Sequence, residues 1–224
     1  MKRFDRVFSI LIVILLPVAA LCLSLNLAVR LPDVYQYAFK STEQLKTANL
    51  TVDSDEFGEL ISDFMIGKNV DFAVAQGDEP DKQYGFFDAH DIKNLKNIRF
   101  RLNIVLAFGA VAVATSVFAF MTCKNIDEGA VARYAIKRAQ ISAVVLIAGM
   151  LVFFLISAAM RFGFWENYIK KFDGSENFYL VMTQTLLRYL YIVWLVIAAI
   201  FEAIMLYAAS KLAKPKRIFS RGNY

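Results

Sequence analysis

Leu102–Thr122, LNIVLAFGAVAVATSVFAFMT, holds no charged residue and no proline. At about 1.5 Å per helical residue it reaches about 30 Å, the thickness of a bilayer's hydrocarbon core. Basic residues frame it, with Arg99 and Arg101 before it and Lys124 after. The stretch therefore predicts a membrane-spanning helix. Working outward, Val7–Val29, Ala139–Met160 and Leu186–Ser210 repeat the pattern. The 224-residue chain is 58% hydrophobic, against about 45–50% apolar for a soluble domain. The predicted fold class is an all-α integral membrane protein: a four-transmembrane-helix bundle with a small, mainly helical extracytoplasmic cap.

The first run follows Lys2, Arg3 and Arg6, as a signal peptide would. No small–x–small cleavage site ends it, and Leu21 stands before Cys22 where a lipoprotein signal has a small residue. It is read as a retained helix, with a kink expected at Pro17, which removes a backbone donor. Lysine and arginine then set the orientation. The N-terminus, the second loop (Lys124, Arg133, Lys137, Arg138) and the tail (Lys211, Lys214, Lys216, Arg217, Arg221) are all basic. The positive-inside rule assigns both termini to the cytoplasm. The organisation expected is a tail and first span over 1–30 and a cap over 31–100. The second span follows at 101–122, a cytoplasmic loop at 123–138 and the third span at 139–161. An outer loop at 162–185, the fourth span at 186–210 and a basic tail at 211–224 complete the chain. Tyr35, Tyr37, Phe162, Phe164, Trp165, Tyr168 and Phe178 would form an interfacial belt on the outer side.

The net charge of +5 is accounted for by these flanks, so no nucleic-acid partner is expected and membrane lipids are. Two cysteines, Cys22 and Cys123, and one histidine, His90, provide no disulfide framework, metal cluster or two-histidine site. No cofactor is expected: phosphate-loop, nucleophile-elbow and HExxH motifs are all missing.

Within the cap, Asp53–Met65 reads as an amphipathic helix with Phe57, Leu60, Ile61, Phe64 and Met65 on one face. Asp53 with Glu56 resembles a capping box, and Gly67 suits the stop. Asp88 with Asp91 repeats the capping pattern, and Ile92, Leu95 and Ile98 keep helical spacing into the second span. Strands are read at Val34–Phe39 and Val70–Ala75. The segment is too small for a large core of its own, so it is expected to rest on the membrane surface or the mouth of the bundle.

Candidate chemistry lies in polar groups in or near the spans. Glu202, inside the fourth run, must face protein or water, as a proton or substrate group or in an interhelical hydrogen bond. Arg101, Arg161 and Arg188, with Arg99, fall near one outer level. They read as a phosphate or headgroup site, or as snorkelling anchors. His90, with Asp88 or Asp91, reads as a general base or as a surface residue. Asn26, Asn103, Thr115, Ser116, Ser142 and Ser157 read as helix-packing groups.

Three segments carry a family resemblance: VYQYAFKSTEQL with DEFGELISDFMIGKNVDF, then FFDAHDIKNLKNI, then MRFGFWENYIKKFDG. With the layout, they resemble the small four-span bacterial membrane proteins that include the lipoprotein intramolecular transacylase. That enzyme moves an acyl chain from a lipoprotein's diacylglyceryl group onto its N-terminal amine, giving the lyso form. The resemblance implies the bacterial cell membrane, lipoproteins as partners and acyl transfer at the outer leaflet. The chain departs from the family at its histidines. If Asp91-Ile92-Lys93 matches the family's Asp-Val-Lys element, the first histidine falls on Asp88. If Asp91 matches an upstream acidic residue, it falls on Asn94. The second falls on Arg161 or Met160, and Gly174 stands where a proline is expected. Three functions are then open: a transacylase-like protein acting on or binding lipid or lipoprotein acyl groups, with lipid or substrate contacts at Arg101, Arg161, Arg188 and Glu202; an inactive relative serving as an assembly or regulatory partner; and a small-solute transporter using Glu202. The last is opposed by few intramembrane charges and no internal repeat.

Overall fold

The computed structural model of the protein describes residues 3–42, 53–75, 83–126, 129–159 and 163–213. Four helices are long and apolar enough to cross a membrane. They are α1 (Arg3–Val29), α4 (Ala89–Lys124), α5 (Ala130–Ala159) and α8 (Gln184–Leu212). Large apolar side chains on them stand largely uncovered: Ile141, Val144 and Val145 of α5 are 65%, 68% and 63% exposed. Such a surface is stable only against lipid. This is an all-α, multi-pass membrane protein. α1 continues through the buried Pro17. The 36 residues of α4 measure about 54 Å, well beyond one hydrocarbon core. Its first three turns, rich in charge, therefore extend past the apolar run.

The chain divides into two compact units. The first comprises Met1–Leu23, Ala107–Met150 and Ala198–Tyr224. Its core uses small residues: Ala119, Ala132, Ala135 and Ala139 are fully buried, beside Ile12, Phe120 and Ile136. Alanine lets helix backbones approach closely where lipid removes the hydrophobic drive for association.

The second unit comprises Ser24–Leu106 and Leu151–Ile197. It holds the short elements α2 (Pro32–Thr42), α3 (Ser54–Ile66), β1 (Ala73–Ala75), β2 (Gln83–Gly85), α6 (Phe164–Ile169) and α7 (Glu176–Val181). Val34–Phe39 is helical, not a strand. Pro32 opens α2, where its missing N–H costs nothing. Val34, Tyr35, Ala38 and Phe39 are all buried, at helical rather than alternating spacing. Of the second expected strand, Ala73–Ala75 forms one. It pairs antiparallel with β2 in the register Ala73↔Gly85, Val74↔Tyr84, Ala75↔Gln83. α3 begins after Asp53 as read, but Asp53 makes no side-chain cap hydrogen bond. Gly67 ends it at φ 115°, a left-handed turn that other residues rarely adopt. Gly58 is the contact point of α2 and α3: a Cβ there would meet the Gln36 backbone nitrogen at 2.9 Å.

These short elements contribute to a substantial core, but not one of their own. Phe57 packs against Phe39 (ring centroids 5.4 Å apart), Phe86 (4.9 Å) and Phe87 (6.4 Å), and Phe72 against Phe64 (5.4 Å) and Phe87 (4.9 Å). The cluster is completed by Leu95 and Leu102 of α4, Phe178 and Val181 of α7, and Leu186 of α8. Thus the layer borrows its missing apolar surface from the long helices. Polar residues of the spans bond as packing groups do: Asn26 donates to the Leu102 carbonyl (2.9 Å), Arg30 to Asn103 (2.7 Å) and Trp194 to Ser24 (3.1 Å). α6 and α7, unforeseen in the sequence, interrupt the loop before α8.

Candidate functional site

The site is built on the first turns of α4. Asp88 caps this helix: its Oδ1 accepts the Asp91 N–H at 2.7 Å, and its own N–H donates to Asp91 Oδ2 at 3.4 Å. The capping pair read in the sequence is therefore present. Asp91 does more than cap. It is fully buried, its Oδ1 accepts the Ser175 N–H at 2.9 Å, and its Oδ2 accepts the Ser175 hydroxyl. Ser175 Oγ in turn accepts the Phe178 N–H at 3.3 Å, capping α7. One buried carboxylate thus joins the starts of two helices. Asn94 adds a second tie, donating to the Asp173 carbonyl at 3.0 Å.

These ties hold the 171–175 loop beside α4 and leave a polar cavity of about 410 Å³ between them. His90, Asn94, Asn97 and Arg101 line one side, and Tyr168, Lys171 and Asp173 the other. The α4 residues are spaced by four, three and four positions, one stripe of a helix. That stripe was visible in the sequence. The contribution of Lys171 and Asp173 was not, because it depends on the Asp91–Ser175 tie. The His90 Nδ1 lies 3.4 Å from the Asn94 amide nitrogen. An amide N–H there suits the tautomer with its proton on Nε2. Asp91 and Asp88 are each engaged elsewhere, and no carboxylate orients the imidazole among the described residues.

An apolar pocket of about 220 Å³ adjoins this cavity. Leu25, Leu102, Ile169, Met182, Leu186 and Leu190 line it, and Ile98, Tyr168 and Phe172 line both spaces. Tyr35 closes one side. Its hydroxyl donates to the Val29 carbonyl at 2.7 Å, and burial raises its pKa far above the usual phenol range.

Of the described arginines in the expected cluster, one, Arg101, lines the cavity. Arg99 turns to α3, donating to the Phe64 carbonyl at 3.0 Å with its guanidinium 4.8 Å from the Phe64 ring. Arg188 is half-buried on α8, away from the cavity's lining, with its Nε unpartnered among the described residues. Arg161 lies outside the described residues. Glu202 belongs to the first unit, 4% exposed, on the face of α8 shared with buried Ala198 and Leu206. It faces protein, as its position in the run requires. Neither carboxyl oxygen has a hydrogen-bond partner among the described residues, so the interhelical bond read in the sequence is missing there.

A polar cavity and an apolar pocket thus share a wall of three side chains. No family model matches the chain, and no curated protein matches it in sequence. Its fold does have a solved counterpart. The chain is similar in structure to the membrane integral lipoprotein intramolecular transacylase Lit from Bacillus cereus. The TM-score is 0.65, and the match covers 95% of this chain and 97% of Lit. Identity is 10%, so the likeness to Lit establishes the fold, and activity must be argued from this chain's own residues.

Proposed function

We propose that this protein is a transacylase-like membrane protein that binds the acylated end of a lipid or lipoprotein at the outer leaflet. The polar head would occupy the cavity at His90, Asn94 and Arg101, and an acyl chain the pocket at Leu102, Leu186 and Leu190. The observation that carries this reading is the wall of Ile98, Tyr168 and Phe172 shared by a polar and an apolar space. An amphiphile needs both at once. The termini are assigned to the cytoplasm on the basic flanks. With Cys22 and Cys123 replaced, single cysteines at Ser54 and Asn167 should label with an impermeant reagent in intact cells, and one at Ser220 should not. Labelling at Ser220 alone would reverse the orientation.

Acyl transfer itself is the second reading, favoured by the one histidine lining the cavity. It requires a base to take the proton of the acceptor amine, donors for the oxyanion formed at the ester carbonyl, and return of that proton to the glyceryl oxygen as the acyl C–O bond breaks. Arg101 and Lys171 suit the oxyanion. His90 is less well prepared as a base, since its Nδ1 faces an amide donor and no carboxylate among the described residues orients it. A general base contributes about 10²–10⁴-fold, so little transfer is expected. The test is expression in a host lacking its own transacylase, with mass spectrometry of lipoprotein N-termini. Wild type should give little or no lyso form. Robust product would establish transfer, and His90→Ala should then remove it. Product retained in His90→Ala would direct attention to Asp88, Asp91 or Glu202.

A further inference from the structure

We propose that the polar cavity reads a zwitterionic, primary-amine phospholipid head of the phosphoethanolamine class, with one acyl chain in the adjoining pocket. The inference rests on the reading that cavity and pocket take one amphiphile, and adds which amphiphile. Arg101 and Lys171 come from different elements, both are exposed, and neither is in an ion pair among the described residues. Arg99, two positions away, is already engaged by Phe64. Arg101 therefore keeps its planar fork for a ligand, and that fork matches phosphate oxygens. Asp173, exposed and lining the same cavity, adds a negative charge that an anion alone would leave unmatched. A head carrying an ammonium beside its phosphate satisfies both signs. A primary ammonium has N–H donors for Asp173, whereas a quaternary choline has none. The exposed Tyr168 ring offers a cation a further face.

The Asp173 backbone is fixed beside α4. Its carbonyl accepts from Asn94, and its neighbour Ser175 is tied to the buried Asp91. The chain end of the ligand is fixed equally well. Leu102, one residue beyond Arg101, already lines the apolar pocket, so head and tail recognition meet within one turn of α4.

The experiment uses the full chain in detergent with phospholipids of identical acyl chains and ethanolamine, choline or glycerol heads, read by native mass spectrometry. Wild type should retain the ethanolamine lipid about tenfold better than either other, a difference of about 1.4 kcal/mol. The double variant R101Q/K171Q should lose that preference. Asp173→Asn should invert it toward the glycerol head, a gain that misfolding cannot produce. Equal retention of all three lipids by wild type, or an unchanged preference in Asp173→Asn, overturns the proposal. Soluble glycerophosphoethanolamine should fail to displace the lipid. Displacement at equal concentration would mean the phosphate source is a free ligand and would also overturn it. A synthetic diacyl lipopeptide separates the two claims. If it is retained without any headgroup preference among phospholipids, the amphiphile site stands and the headgroup claim falls. If neither it nor any phospholipid is retained, both fall.

Discussion

Replacing Phe57 with alanine should cost about 3–5 kcal/mol, the range for removing a fully buried aromatic side chain, and lower the melting temperature by on the order of 10 °C. Phe57 is 0% exposed and sits at the centre of the phenylalanine cluster, touching rings from α2 and from the segment before α4. Its removal leaves a void bounded by stiff rings whose backbones are held by helices, so collapse into the space is limited. Phe57→Leu keeps much of the volume and should lose less. Thermal unfolding in detergent checks the order. An alanine variant melting within about 2 °C of wild type would mean that the cluster does not hold these elements together.

Asp91→Ala should have the second largest effect, on the order of 2–4 kcal/mol. It removes a buried carboxylate from hydrogen bonds with two Ser175 donors and leaves those donors unpaired, at about 1–3 kcal/mol for one such donor and less than twice that for two on one residue. The consequence goes beyond stability. Without Asp91 the 171–175 loop loses its anchor on α4, so Lys171 and Asp173 no longer face Arg101 across the cavity. Ser175→Ala keeps the backbone N–H to Asp91 and should show a milder version of the same loss. Lipid retention measured below the melting transition separates the effects. Asp91→Ala should retain less lipid even while folded, whereas Phe57→Ala at matched folded fraction should not. Full retention by folded Asp91→Ala would show that the tie does not shape the site.

The long helices were legible because lipid solvent imposes a simple rule: each backbone polar group must bond within its own segment, and about 20 apolar residues do so while crossing. α3 was legible from its periodicity and Gly67. α2 was misread because Val34, Tyr35 and Phe39 are good strand formers. Pro32 at its first turn and the spacing of its buried residues favour the helix, and packing against α3 decides it. The hairpin register follows from pairing across 73–85, which no local signal specifies. At the site, the α4 stripe from His90 to Arg101 could be read from spacing. Asp91 read as a cap and a catalytic partner, but its bonds to Ser175 cross 84 positions of sequence. No periodicity reports a contact of that range. The same tie brings Lys171 and Asp173 to the cavity, so sequence spacing groups the arginines by membrane level and does not report which of them lines it.

On the proposed function, one amphiphile fills the polar cavity and the apolar pocket together. Photo-cross-linking tests it most directly, using the full chain in detergent with a stoichiometric diacyl phospholipid bearing a diazirine midway along one acyl chain. The labelled peptides should map to Leu102 of α4 and to Leu186–Leu190 of α8, and filling the pocket with Leu186→Trp should suppress them. Labels confined to the lipid-facing Ile141, Val144 and Val145 of α5, unchanged by Leu186→Trp, would contradict the account.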